Sequence, residues 1–390
     1  MYENEKLIPS AVSKALLADG QTTQRETPGA IVLKDYFTPP AICRTFPESA
    51  RLIEEARTWT WRYVERLGCG SRLLRPIDET VTMCPYLFPD SDFEGNLVAT
   101  MFTVLEFVND DIFDSIDVYD AFRSATAGAR LAEELLAVRS NPRILGKAMM
   151  ASVNLLRDPH AEASAIALPE GVSGDLFLFD AFSDLSKRIH AYAQRTGSPN
   201  FGFWLDEFTA ALIHFSRSHM EIYKSVDDLS IEDYMAHKLI NCGMLHTVLL
   251  LELAMGAFLS RELQALPLIQ SLKQHCIYVG SLLNEITSYE KEVFQERSGN
   301  LLLVVMLKQK CSLREATQYV ARIAQTNADA VIRLAQQARV EFAGHEQQEL
   351  LLRYVNGIAQ LSSACWYWQI EGTTRYRSAS SPFAELRTAS

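Results

Sequence analysis

No Cys-x-x-Cys pair occurs in this chain, although it has seven cysteines (Cys43, Cys69, Cys84, Cys242, Cys276, Cys311 and Cys365). Their odd number and wide scatter argue against a zinc knuckle and against a disulfide framework, and point to reduced thiols in a cytoplasmic protein. The eight histidines include no His-Glu-x-x-His, which removes a common helical zinc site. Glycine builds neither Gly-x-Gly-x-x-Gly nor a Walker loop, so nothing cradles a nucleotide cofactor in the usual way. Positive charge is in deficit. With 37 basic against 48 acidic residues the net charge is −11, so no chain-wide field holds a polyanion, nucleic acid is not an expected partner, and an anionic ligand requires a local basic pocket. The first twenty residues lack a basic region followed by an apolar run, so no signal peptide is expected. The longest greasy stretch, 246–259, contains Glu252 and is too short to cross a bilayer, so no transmembrane segment is expected.

A sustained period of two is also missing, and helical spacing takes its place. Ala50, Leu52, Ile53, Ala56, Trp59, Tyr63 and Leu67 recur every three or four residues before Gly68 and Gly70 interrupt them, which predicts a helix. Similar patterns predict helices over 93–115, 119–138, 143–156, 175–195, 203–224, 231–259, 262–296, 313–342 and 345–376. At 390 residues and 48% hydrophobic content, an all-α, single-domain helical bundle enclosing an apolar cavity is the expected architecture. Residues 1–40, rich in Thr, Pro and Gly, read as an N-terminal arm over the body, 41–377 as the helical domain, and 378–390 as a frayed C-terminal tail. The segment 127–175 contains a loop-like interruption over 159–174.

Two polar clusters stand out from this greasy background. Asn284, Ser288 and Glu292 are spaced four apart, so on a helix they form one stripe of oxygen ligands. An amide oxygen, a hydroxyl and a carboxylate suit Mg²⁺ or Mn²⁺ and not zinc, and so little charge calls for phosphate oxygens to complete the site. A solvated polar helix face is the plain alternative for this stretch alone. The second cluster is Asp110, Asp111 and Asp114, with Asn109 before it and Ser115 and Asp117 after it. Like charges crowd one helix face there without a basic neighbour in the segment, which destabilises the helix unless cations bind. Phe102, Leu105, Phe107 and Val108 precede the acids, which reads as the mouth of an apolar cavity; a surface acidic run in an acidic chain is the plain alternative.

Taken together, the clusters resemble those of the class I terpene synthases of microbial type. Asp110-Asp111-Ile112-Phe113-Asp114 resembles that family's aspartate-rich motif, and Asn284, Ser288 and Glu292 resemble its Asn/Ser/Glu metal triad. Tyr234-Met235-Ala236-His237-Lys238 is similar to its Tyr-Leu-x-x-Arg-Arg segment, with Lys238 where the diphosphate-sensing arginine stands. Arg375-Tyr376 resembles its Arg-Tyr pair, with Trp366 and Trp368 upstream. Lysine at 238 departs from the pattern, since it offers a point charge and not a planar fork. Glu285 in place of the commoner aspartate falls outside the three ligands, and downstream the resemblance puts Asn241 and the Cys242 carbonyl at a helix break.

The resemblance implies ionisation of a linear prenyl diphosphate, with three Mg²⁺ ions acting on the leaving group. Farnesyl diphosphate is the first expectation and geranylgeranyl diphosphate the second, with a cyclic terpene hydrocarbon or alcohol as product. Lys238, Lys291, Arg375 and Tyr376 would donate to the departing oxygens. Phe107, Phe113 and Trp368 are candidates to face the carbocation through cation–π attraction, although core packing is the commoner role for aromatics at helical spacing. No Asp-x-Asp-Asp occurs, so the reaction would not begin by protonation. A chain-elongating prenyltransferase is the nearest enzymatic alternative, but it would carry a second aspartate-rich motif where Asn284 to Glu292 lie. A non-enzymatic helical module binding a metal or a partner is the other, and it leaves Arg375-Tyr376 unexplained. The sequence leaves a homodimer open.

Overall fold

The computed structural model describes residues 30–388 apart from 69, 115–128, 140, 167, 169–172, 219–228 and 295–298. The longest uninterrupted buried run, residues 95–105, lies in one helix, Phe93–Asp114. Nothing polar but Asn96, Thr100 and Thr103 interrupts it. Thr100 and Thr103 return their hydroxyls to the carbonyls one turn back, and Asn96 donates its amide to the Phe88 carbonyl at 3.0 Å. A helix that is apolar all round must be surrounded, and here it is the axis about which the others assemble. Twelve helices of nine or more residues are described: α1 (Ser49–Val64), α2 (Phe93–Asp114), α3 (Ala129–Arg139), α4 (Pro142–Arg157), α5 (Phe179–Thr196), α6 (Phe201–Ser218), α7 (Ile231–Asn241), α8 (Met244–Met255), α9 (Pro267–Thr287), α10 (Leu301–Gln309), α11 (Leu313–Glu341) and α12 (Gln348–Tyr367). Around α2 pack α1, α5, α8 and two short helices, Leu74–Thr80 and Met83–Leu87. A second layer is built on α9, which lies against α11 and α12. Among the described residues there is no strand, only two isolated bridges, so the all-α expectation holds.

Local chemistry explains most boundaries. Ser312 starts α11 with a capping box, its side chain bonded to Glu315 and Glu315 bonded back to it, which satisfies two orphan donors at once. The α1 helix ends through a 3-10 turn at Gly68, whose φ of 70° is left-handed, a region that costs glycine nothing. Two expected spans are divided. The 231–259 helix is broken after Asn241, because Gly243 takes φ 77° and starts α8 afresh. Although Ile231–Met255, at 25 residues, is long and apolar enough by composition to cross a membrane, 61% of its apolar window is buried in the bundle. The 262–296 span is likewise divided into a short Arg261–Gln264 helix, α9 and Tyr289–Phe294. Sequence reading also passes over α10, whose Leu301 to Met306 are all buried; such a run has no periodicity to detect.

The tail requires the largest correction. Residues 378–388 are not frayed: Phe383 is fully buried, and Ser378 pairs its backbone with Leu386 and Thr388 at 3.1 Å each. They tie in turn to the described end of the N-terminal arm. Ala384 donates to the Ile31 carbonyl and Ile31 to that of Pro382, both at 2.8 Å, while the Glu385 carboxylate accepts from the Leu33 and Lys34 amides at 3.0 Å each. Residues 1–29 of the expected arm lie outside the described residues. The expected 345–376 helix ends at Tyr367 and passes through a π-helical turn, Trp368–Gly372. This turn frees the next residues to run as a strap over the bundle end.

Where α2 crosses α8 there is no room for a side chain. A Cβ at Gly95 would lie 2.5 Å from the Tyr192 hydroxyl and 2.6 Å from the Ala254 carbonyl oxygen. Alanine for glycine inside a helix ordinarily gains about 1 kcal/mol. At this crossing the sign reverses: Gly95→Ala is expected to lower stability by about 1–3 kcal/mol, the usual cost of overpacking, read as a fall in the urea midpoint at unchanged slope.

Candidate active site

The Asn284, Ser288 and Glu292 stripe survives a helix boundary. Although α9 ends at Thr287, Ser288 donates its amide to the Asn284 carbonyl at 2.8 Å and Glu292 donates to the Ser288 carbonyl at 2.9 Å. These two i to i+4 bonds hold the three residues in α register, so their side chains share one face. Asn284 turns its amide nitrogen to the Tyr376 hydroxyl at 3.2 Å, which leaves its amide oxygen to face the site. The Ser288 hydroxyl is buried without a hydrogen bond of normal geometry, beside the Glu292 carboxylate. One Glu292 oxygen accepts from the Asn300 amide at 2.8 Å.

Opposite this face stands the end of α2. The Arg375 guanidinium, only 3% exposed, grips Asp111 with two bonds of 2.7 Å, and it lies 3.8 Å from Asp110 and 3.7 Å from Glu79. Lys291 reaches the same Asp111 at 3.4 Å. The strap residues Arg375 and Tyr376 therefore join the two clusters, one to each. Asp110 stays 37% exposed and is free of such a grip. The side chains of Phe113 and Asp114, together with residues 115 and 117, lie outside the described residues.

Lys238 has a partner that the sequence reading passes over. Glu285, fully buried on α9, lies 2.6 Å from the Lys238 ammonium. Its other oxygen accepts from the Tyr234 hydroxyl at 3.1 Å and from the Leu301 amide, and Asn300 donates to its backbone carbonyl at 2.8 Å. Glu285 is thus the counter-charge of Lys238. Its spacing of three after Leu282, which itself follows Val279 by three, places it on the buried face of α9; an acid in such a position needs a cation.

Burial works against every one of these charges, and pairing decides their state. Burial alone would raise the Asp111 carboxyl, yet Arg375 and Lys291 hold it well below the usual carboxylate range. For Arg375 burial opposes the charge and Asp111 more than restores it. Lys238 is held cationic in the same way by Glu285 and Glu292. Glu292 is pushed up to about 7 by burial, with Lys238 opposing and Glu285 adding to the shift. Burial pushes the Tyr376 hydroxyl up to about 12, so it is a donor at neutral pH.

The aromatic candidates divide. Phe107 is half-buried, with the Arg375 guanidinium carbon 5.1 Å from its ring centre and Trp368 at 6.0 Å. Trp368 is buried and donates its indole N–H to Thr82 at 3.1 Å, which is the tie of a packed residue. The Cys242 thiol meets the Ser281 hydroxyl at 2.7 Å beside the helix break.

Oxygen donors of three kinds on one face, one of them a buried hydroxyl without a normal hydrogen bond, fit a hard divalent cation. Asp110 is 37% exposed, its carboxylate 3.8 Å from Arg375 and largely uncommitted. Among the described residues no three His, Cys, Asp or Glu side chains gather as a ligand set; the donors here include an amide and a hydroxyl, and Asp111 is committed to Arg375.

Comparison with known proteins identifies the family and the fold. Residues 101–329 match the family described as terpene synthase family 2, C-terminal metal binding. The fold is similar to that of a single-site variant of cucumene synthase (TM-score 0.64, 17% identity, covering 87% of this chain and 100% of that one). It is also similar to germacradien-4-ol synthase from Streptomyces citricolor (TM-score 0.63, 18% identity, 88% and 98% covered) and to α-eudesmol synthase (0.61, 17%, 85% and 98%). No curated protein matches the sequence.

The different grips on the two aspartates make a direct comparison. Removing one partner of a buried, doubly bonded ion pair strands the other, so Asp111→Ala is expected to cost about 3–5 kcal/mol. Asp110→Ala, at a half-open position, should stay within about 1 kcal/mol of the parent. Equilibrium denaturation of both variants measures the difference.

Proposed function

The chain belongs to terpene synthase family 2, a class I terpene synthase, and on that premise we propose that it ionises a linear prenyl diphosphate and cyclises the resulting allylic cation, releasing diphosphate. The observation that carries this reading is the register of Asn284, Ser288 and Glu292 on one face, joined through Tyr376 and Arg375 to the carboxylates of α2. In it, Asn284, Ser288 and Glu292 on one side and Asp110, Asp111 and Asp114 on the other would hold Mg²⁺, with Mn²⁺ as a substitute. When bound, the metal would supply Lewis-acid stabilisation of the leaving diphosphate.

The chain's own residues do the remaining work. Arg375 and Lys291 already converge on Asp111, and each has donors beyond that contact to offer a diphosphate oxygen. Lys238, paired with Glu285 next to Asn284, would offer its charge to the same anion. Tyr376, protonated because it is buried, donates its hydroxyl and keeps Asn284 oriented. Such donors are fixed before the reaction and need not reorganise as charge develops on the leaving group. Phe107 presents a ring next to Arg375, where the departing anion and the remaining cation would separate, and an aromatic face attracts that cation. The stretch of α2 before it, residues 95–105, is buried, and a dry wall of this kind would keep water from quenching the cation.

Farnesyl diphosphate is the proposed substrate and geranylgeranyl diphosphate the second choice, with a cyclic terpene hydrocarbon or alcohol as product. Incubation with Mg²⁺ and, separately, geranyl, farnesyl, geranylgeranyl and geranylfarnesyl diphosphates, followed by gas chromatography with mass detection, is the test. A cyclic product from the C15 substrate that disappears with a chelator is expected. Elongated diphosphates formed only when a C5 diphosphate is added would make the protein a prenyltransferase, and no turnover would refute the reading. Ser288→Ala should lower turnover at least about tenfold and raise the Mg²⁺ concentration needed, as changes around a metal site do.

A further inference from the structure

One acid on α2 takes no part in the chemistry above. Glu106 lies one turn, about 6 Å along the axis, before Asp110 on the same stripe. The helix is buried on every side from residue 95 to 105, and partial exposure begins at Glu106 and Phe107. This turn is therefore where the central helix first reaches accessible space beneath the two aspartates. The Glu106 Oε1 lies 2.6 Å from Nε2 of His246. His246 stands in the first turn of α8, immediately after the helix break, and a Cβ on Gly243 would come within 3.3 Å of that same nitrogen. Phe102 and Phe215 set their rings edgewise to the imidazole at 6.0 and 5.2 Å. Exposure assigns the roles, since the His246 side chain is 1% exposed and that of Glu106 is 23%. The carboxylate faces the accessible space and the imidazole backs it.

A carboxylate that is three-quarters buried is costly unless a partner holds it. Here that partner is the imidazole of His246, and not a lysine or arginine. Resting on the reading of this chain as an ionising cyclase, we infer that Glu106 is the base that ends the carbocation sequence, with His246 as its positioning residue. The step balances without a co-reactant. A C–H bond next to the cationic carbon breaks, its electron pair becomes the new C=C bond, and the proton passes to a Glu106 oxygen. The base lies one turn before Asp110 along α2, about 6 Å along the axis, so the site at which the proton is lost would be separated from the carboxylates proposed for ionisation.

The test measures two quantities in one incubation: diphosphate released, and the share of each terpene among the products. In the wild-type protein an alkene is expected as the main product. In Glu106→Gln its share per diphosphate released should fall at least about tenfold, as loss of a general base does, with alcohols or alkenes of other double-bond position in its place. Glu106→Asp, which keeps the carboxylate, should retain the alkene. His246→Leu should shift the products as Glu106→Gln does, and His246→Gln, whose amide N–H still reaches Glu106, should restore them; a merely structural histidine would not be rescued in this pattern. If Glu106→Gln does not fold, the His246 pair reads the same effect. An unchanged product spectrum in Glu106→Gln or His246→Leu, or a wild-type product that is wholly an alcohol, overturns the assignment while leaving the cyclase reading intact. Failure of the wild-type protein to release any diphosphate overturns both.

Discussion

The bidentate pair between Arg375 and Asp111 holds the two halves of the site in relation to one another. It spans the chain from the central helix to the terminal strap, 264 residues apart in sequence. Taking a guanidinium and a carboxylate out of water costs several kcal/mol for each ion, and apolar residues of equal volume often stabilise a fold as well. A fork-to-carboxylate geometry is nevertheless directional, and direction is what a strap needs if Tyr376, the next residue, is to meet Asn284. The π-helical turn after α12 and the anchorage of Phe383 against the bundle serve the same placement.

Each cation of the site is paired with a carboxylate. Arg375 and Lys291 share Asp111, and Lys238 has Glu285. In a chain of net charge −11, this local pairing solves the problem of keeping basic groups inside an apolar bundle without leaving any of them unpaired. In the proposed reaction it has a second consequence. A diphosphate arriving alone must compete with those carboxylates, whereas one arriving with divalent cations brings charge that the carboxylates can accept in exchange. Ionisation would then depend on both together.

Much of this is legible in the sequence because it rests on local spacing. The interval of four in Asn284, Ser288 and Glu292 and the crowding of Asp110 and Asp111 at the end of an apolar run are properties of one helix each, and both appear in the structure where the spacing puts them. Contacts between distant segments are not legible. Nothing in the order of residues pairs Lys238 with Glu285 or His246 with Glu106; each pair needs the packing of two helices, and the second also needs the break at Gly243. The ordered terminal strap escapes a sequence reading for the same reason. Ser378 to Thr388 has no periodicity, and its fixed course comes from Phe383 and from backbone bonds to Ile31 and within the strap itself. The α10 helix escapes it because a run that is apolar on every face carries no period at all.

The most direct test is a calorimetric titration of the protein with inorganic diphosphate, carried out with and without Mg²⁺. If the basic residues are committed to carboxylates until metal arrives, diphosphate should bind about 10- to 100-fold more tightly with Mg²⁺ than without it, the usual range for coupled ligands. Equal affinity in the two titrations would show that the cations are free to bind the anion unaided, and would contradict the account.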